Sequence, residues 1–415
     1  MTVVRLPYGS ELIEMDCNAD VLDVEGGGDS SDEVPDARAL LHQAVCNPLG
    51  TKRLRDLIAS KPEAAIVVVV DDHTRTAPTE LMLDALIAEL GEARADRITA
   101  LVACGTHEQP PDRDLKRMLG HHYGRVPVVI HDCDAPDLEF LGTTSRGTPL
   151  WVNSTYLHAD VKILTGDITL HYYAGFGGGR KSILPGIAGR ETIKRNHALL
   201  VDPRARTAHL HQNPVHLDMV EAALFAPPDY VLNCISAPSG TMAAAYAGAL
   251  APVFAAGVAR AQQLLCRRSR VEFDLLVVSA GGFPKDRNLY QAAKAIENCY
   301  HAVVPGGSFL LVAECRDGIG DPLFEAWMDR YTTFTAVAEA IQSDFVLGGH
   351  KAFYLRRVMK QLNLSIVSKL EPDNLTRWQI PAFLSVGEAL AAAPYKPHAR
   401  WGVVRNGFDT FFEPA

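Results

Sequence analysis

Between Thr165 and Leu200 the chain reads TGDITLHYYAGFGGGRKSILPGIAGRETIKRNHALL. The stretch gathers His171, a glycine run (Gly175, Gly177, Gly178, Gly179), the pair Arg180–Lys181, Ser182, a Pro185–Gly186 stop and His197. Glycines lack a Cβ, so their backbone N–H groups can approach an anion closely. A lysine directly after them can neutralise that anion or react as an amine. Histidines supply bases or metal ligands near neutral pH. Two common glycine patterns fail. A P-loop needs Gly immediately before Lys, and the dinucleotide fingerprint needs a third Gly; Arg180 occupies both positions. An anion site with an unusual lysine is favoured over a passive linker. His197 sits in a helical pattern, where a lone histidine is more often structural than a ligand.

Three further clusters carry chemistry. Asp72-His73-Thr74-Arg75 could bind a nucleotide hydroxyl or phosphate, or clamp a carboxylate; an N-cap with a surface arginine is the plainer alternative. Gly105-Thr106-His107 offers a general base or a simple turn, followed by Glu108. Tyr290-Gln291-Ala292-Ala293-Lys294 places Tyr290 and Lys294 four apart on one helix face, a carboxylate patch or a solvated surface. His209 and His211 could ligate a metal but lack partners at a familiar zinc spacing, and His216 lies close by. Gly348-Gly349-His350-Lys351 reads as a helix start.

The elements that must position these residues alternate. Ala64 to Val70 is a mostly β-branched apolar run, as expected of a strand buried on both faces. Arg97 to Ala103, Val126 to His131 and Ala159 to Leu164 read as further strands, with helical patterns at Thr79–Leu90 and Asp112–Leu119. The polar clusters therefore fall at the C-terminal ends of parallel strands, the ligand edge of open α/β sheets. A long helix from Ala251 to Arg268 precedes a second alternation: strands at Phe273–Ser279, Ser308–Ala313, Ser365–Lys369 and Trp401–Arg405. The expected fold is α/β, two Rossmann-like domains with a cleft between them, joined by helical linkers. Residues 1–270 form the first, residues 271–405 the second, and residues 406–415 a tail returning to the first. Asp20 to Asp36 reads as an acidic, glycine-rich loop.

The 415 residues carry a net charge of -9, which argues against general nucleic-acid affinity. Eight cysteines form no CxxC pair, so neither a cysteine zinc site nor a disulfide framework is expected. The N-terminus does not read as a signal peptide, and the longest apolar runs are too short to span a bilayer. The expectation is a cytoplasmic protein without membrane association.

Together, in order, these motifs resemble the nickel-pincer nucleotide-dependent lactate racemase family of 2-hydroxy acid racemases and epimerases: DHTR at Asp72–Arg75, GTH at Gly105–His107, H-x9-K with GGGRKS-x2-PG from His171 to Gly186, His197, and YQAAK at Tyr290–Lys294. The resemblance covers most of the chain. It implies an isomerase that inverts C2 of a 2-hydroxy acid by proton-coupled hydride transfer through a 2-keto acid. Lys181 would hold a pyridinium-3-thioamide-5-thiocarboxylic acid mononucleotide covalently, and His197 would ligate its nickel, a donor set suited to square-planar Ni(II). Asp72, Thr74, Gly177, Gly178, Gly179, Arg180 and Ser182 would hold the nucleotide. His107 and His171 would be the two bases. Arg75, Tyr290, Gln291 and Lys294, with Glu108, would contact substrate as the second domain closes over it. Cofactor-synthesis and nickel-insertion proteins would act upstream. Many family members have Arg where this chain has Glu108, which points beyond lactate to a bulkier or polyhydroxylated acid. Two rivals remain: a nickel-independent enzyme with a phosphate-binding or Schiff-base Lys181, and a non-catalytic nucleotide-binding homologue.

Overall fold

A computed structural model describes residues 2–17, 22–24, 36–237, 240–269, 271–392 and 399–414. The chain divides into two compact units, Ser30–Gln263 and Met1–Asp29 with Leu264–Ala415.

The Ser30–Gln263 unit is built on a six-stranded sheet, in the order Met242–Gly248, Tyr230–Ser236, Val161–Asp167, Ile66–Asp71, Ile98–Ala103, Val128–Ile130. The Met242 edge strand is antiparallel to its neighbour, and the other pairings are parallel. Ile66 to Val70 are all buried, as an unbroken β-branched run in a central parallel strand must be. Helices Ala37–Cys46, Thr79–Leu90 and Asp112–Leu119 supply Leu41, Val45, Leu83, Leu86, Leu115 and Leu119 to the core that holds Val68, Val70, Ala100 and Ile163. Counted along the chain, the strand order is 3-2-1-4-5-6, so it reverses between the Ile66 and Val161 strands. At such a reversal the flanking loops diverge and leave a crevice beyond the strand ends.

The other unit carries a six-stranded, all-parallel sheet: Ala382–Phe383, Asn363–Val367, Val303–Val312, Phe273–Ser279, Trp401–Val404, Leu22–Val24. The hairpin Thr2–Tyr8 with Glu11–Cys17 joins it, burying Val4, Leu6 and Met15 with Leu275, Val277 and Leu310. Gly9 N–H donates to Asp286 at 2.6 Å, and Phe283 N–H donates to the Gly9 carbonyl at 2.8 Å.

The division corrects the expected boundaries. The N-terminal hairpin belongs with the C-terminal half, because Val4, Leu6 and Met15 find their partners there. The tail stays in the same unit: Phe411–Pro414 pairs in parallel with Cys266–Ser269, and Asn298 donates to the carbonyls of Gly407 and Phe408. The helix expected to run to Arg268 ends at Leu265, where this pairing begins. Most of the acidic, glycine-rich stretch lies outside the described residues; within it, Leu22–Val24 is the edge strand beside Trp401–Val404. Cys104, Cys133, Cys234, Cys299 and Cys315 are buried free thiols. Among the described residues no helix is long and apolar enough to cross a membrane.

Candidate active site

Three loops follow the C-terminal ends of the Ile66, Ile98 and Val161 strands, and they bring the first two histidines, the lysine and the acids together. Asp72 is buried and uses both carboxylate oxygens inside the protein. Oδ1 accepts from the Thr74 N–H at 2.8 Å and from the Thr74 hydroxyl at 2.5 Å. Oδ2 lies 2.5 Å from His107 Nδ1. Burial pushes the Asp72 carboxyl up, but His107 and Thr74 outweigh it and hold the group below its ordinary value. An ionised Asp72 accepts a hydrogen bond from His107 Nδ1–H, so His107 presents Nε2 as its basic atom. This buried carboxylate–imidazole pair was not legible from the sequence, where Asp72 and Thr74 read as nucleotide contacts. The GTH turn itself is tied down, since Gly105 N–H donates to the Gly186 carbonyl at 3.0 Å. Glu108 follows His107 and is exposed, as is Arg75.

His171 and Lys181 meet directly, with Nε2 to Nζ 3.1 Å. The His171 ring stacks on Tyr172 (centroids 4.9 Å, 6° between planes) and meets Tyr173 edge-on at 4.4 Å. Ala174 N–H donates to His171 Nδ1 at 3.3 Å. A neutral imidazole has one lone pair. The direction of the Nε2–Nζ contact therefore follows from the tautomer. Burial and neighbouring charges disfavour the charged form of both groups. Burial, then Arg75 and Arg180, push the Lys181 ammonium well below its usual range, although Asp71 opposes them. Burial, then Lys181 and Arg75, do the same to His171. Asp71, which the sequence did not single out, is pushed up to about 6, chiefly by burial.

His197 is buried on the helix Arg190–Ala198, with its ring 5.0 Å from Tyr173. Lys181 Nζ lies 5.8 Å from the same tyrosine ring. Tyr173 thus has His171, Lys181 and His197 around it.

The glycine run makes internal hydrogen bonds. Gly177 N–H donates to the Thr169 carbonyl at 2.7 Å, and Gly179 N–H donates to Asn233 Oδ1 at 3.1 Å. What requires glycine is the backbone. Gly178 has φ +66° and a Cβ there would lie 2.6 Å from Ile168 Cγ1; Gly179 has φ +56° and would meet Phe254 at 2.9 Å. Arg180 is buried and turned inward. Its guanidinium donates to the carbonyls of Ala174, Phe176, Gly177 and Gly178 and to His216 Nδ1, and it covers the Phe254 ring at 4.2 Å. Ser182 donates its hydroxyl to the Thr165 carbonyl at 3.0 Å. Gly177, Gly179, Arg180 and Ser182 therefore build the loop that aims Lys181, and their donors are spent on it. His216 is the acceptor for Arg180, and burial followed by that charge lowers it to about 3. His209 and His211 join no cluster of metal-ligating side chains among the described residues.

In the other unit, Tyr290, Gln291 and Lys294 lie on the first turns of the helix Leu289–Cys299, whose N-cap Asn288 accepts from Gln291 N–H at 2.9 Å. Lys294 Nζ sits 4.1 Å from the Phe408 ring centroid, and Lys351 Nζ sits 5.3 Å from that of Tyr290. Burial raises the Tyr290 phenol above its ordinary value. His350 Nδ1 accepts from Gly348 N–H at 3.1 Å, so the GGHK segment is a helix cap.

Two family models match in tandem, the lactate racemase N-terminal domain over residues 8–208 and the lactate racemase C-terminal domain over residues 268–409. A lactate racemase of Thermoanaerobacterium thermosaccharolyticum is 34% identical over 69% of this chain and 68% of its own length. This chain belongs to the lactate racemase family. It is an isomerase of the racemase type. A second lactate racemase, from Lactiplantibacillus plantarum, is 32% identical over 68% of this chain and 66% of that protein. The lactate racemase apoprotein of T. thermosaccharolyticum superposes with a TM-score of 0.89 at 27% identity, covering 99% of this chain and 100% of its own. A Thermotoga maritima protein shares the fold alone, with a TM-score of 0.67 at 16% identity. The racemase family model reaches from the N-terminal hairpin through Lys181 and His197, so the paired histidines, the lysine and the dyad all lie inside its match.

Proposed function

We propose that this racemase inverts C2 of a 2-hydroxy acid, with His107 and His171 as the two bases and a nickel-pincer nucleotide tethered to Lys181. The observation that carries the reading is the buried Lys181 amine facing His171 Nε2 at 3.1 Å, on the same sheet edge as the Asp72–His107 pair. The residues fit the cofactor. A neutral amine is the form of lysine that makes a covalent bond, and His197 offers the nitrogen donor that nickel accepts. The cofactor would supply the electrophile that takes the C2 hydride and gives it back. The chain does the rest. His107 Nε2, with Asp72 behind it, takes the hydroxyl proton from one enantiomer; His171 takes it from the other. In each direction the other histidine, on the opposite face, would give the proton back to the oxygen. Arg75 would hold the carboxylate, which leaves the keto group as the part that turns. The strand order 3-2-1-4-5-6 supports a Rossmann-like reading of the Ser30–Gln263 unit, with the chemistry at its reversal point. Glu108, exposed beside His107, favours substrates larger or more hydroxylated than lactate.

Intact mass and metal content test this. Protein from a host that makes the cofactor should carry an adduct and one nickel per chain, and Lys181→Ala should lose the adduct while keeping the fold. An unmodified Lys181 in such a host would reject the reading. A neutral lysine also suits Schiff-base chemistry, so trapping by borohydride in the presence of a 2-keto acid would favour that rival instead.

A further inference from the structure

Buried polar chains away from the reacting atoms are worth following to their ends, and one of them terminates on His197. Asp218 and Asn196 are both fully buried. As a carboxylate, Asp218 only accepts. Its Oδ1 takes the Thr144 hydroxyl at 2.6 Å, and its Oδ2 takes the Thr148 hydroxyl at 2.8 Å and Asn196 Nδ2 at 2.9 Å. Asn196 Nδ2 also donates to the Val215 carbonyl at 3.2 Å. Both partners of Nδ2 are pure acceptors, so the amide has one orientation and cannot flip without placing its oxygen against two others. Asn196 Oδ1 is thereby aimed at His197 Nδ1, 3.1 Å away. An amide oxygen can only accept, so it requires Nδ1–H and leaves the lone pair of His197 on Nε2.

We infer that Asn196, locked by Asp218, is a positioning residue that sets the tautomer of His197 and so commits Nε2 to the metal. The inference rests on the proposed role of His197 as nickel ligand. A ligating imidazole must present an unprotonated nitrogen, and which nitrogen that is follows from the hydrogen bond made by the other. The usual partner is a carboxylate or backbone carbonyl on the imidazole itself. Here the Asp218 carboxylate acts on His197 through the neutral amide of Asn196. The two threonines, in the turn after the strand Glu139–Thr143, fix the carboxylate in turn.

Ring ¹⁵N spectra of histidine-labelled apoprotein read the tautomer directly, with His197 assigned from a His197→Gln variant. The wild type should show His197 protonated at Nδ1 alone. Asn196→Ala should give a mixture. Asp218→Asn should move the population toward Nε2–H, because an amide at 218 turns the Asn196 oxygen away. In the cofactor-loaded protein, Asn196→Ala should lose nickel to a chelator about 10- to 100-fold more readily. A wild-type His197 protonated at Nε2, or a tautomer unchanged in the folded Asn196→Ala protein, would overturn the inference. If Asp218→Asn does not fold, Asn196→Ala decides alone. Should His197 take the Nδ1–H form while loaded protein binds no nickel, the tautomer lock stands and the metal reading falls.

Discussion

At the scale of single residues, the site depends on groups held in the less usual protonation state. Burial, then Arg75 and Arg180, disfavour the charged form of Lys181, and burial, then Lys181 and Arg75, do the same to His171, whereas His107 and Thr74 hold the Asp72 carboxyl below its ordinary value against its own burial. Asp72→Asn should keep the fold, since an amide oxygen can still accept from Thr74, yet lower kcat/KM by at least about 100-fold because His107 loses the partner that fixes its tautomer. Steady-state kinetics with both enantiomers would check it, and the loss in kcat/KM should be equal in the two directions, as an equilibrium of equal enantiomers requires. The depressed histidines also set the acid limit of stability. His171, His216 and His350 stay neutral when folded but bind a proton when unfolded, so the unfolded state holds more protons below about pH 6.5. Stability should therefore fall as pH drops through that value, by on the order of 1 kcal/mol per pH unit for each histidine, down to about pH 3 for His216. His216→Asn keeps an acceptor for Arg180 and should flatten part of that slope in urea titrations.

At the scale of elements, the loop from Gly175 to Ser182 is a piece of architecture whose product is the position of Lys181. A Cβ on Gly178 would meet both a left-handed φ and Ile168, so Gly178→Ala should cost about 1–3 kcal/mol in chemical denaturation. Strand and helix patterns around this loop were legible because buried parallel strands and amphipathic helices write themselves into the apolar spacing: Thr79–Leu90 and Asp112–Leu119 have the expected bounds. The residues of the site were legible as types, through the ordered motifs. Their partners were not. Nothing in local spacing says that Asp72 turns to His107, 35 positions away, or that Arg180 folds back onto its own loop carbonyls. Sequence shows that a donor is present; which acceptor it finds is decided by packing. The same limit explains why the glycine run read as an anion cradle, since the need for positive φ and the need for exposed N–H groups leave the same mark.

At the scale of the whole molecule, the N-terminal residues complete the unit built by the C-terminal half, which a linear reading of domains misses. Removing residues 1–17 should strip Val4, Leu6 and Met15 from that core, at about 1.5–3 kcal/mol for each side chain. The unit Leu264–Ala415 should then unfold at lower urea than Ser30–Gln263, giving a split transition. The proposed pairing of two histidine bases with a tethered hydride acceptor makes one chemical claim about the whole enzyme: hydrogen at C2 would leave and return without passing through water. Enantiopure 2-hydroxy acid deuterated at C2, turned over in ordinary water by cofactor-loaded protein, tests this most directly. The account predicts approach to an equal mixture of enantiomers with the deuterium still on C2. Inversion with the label lost to solvent, or no inversion by protein shown to carry the Lys181 adduct and nickel, would contradict it.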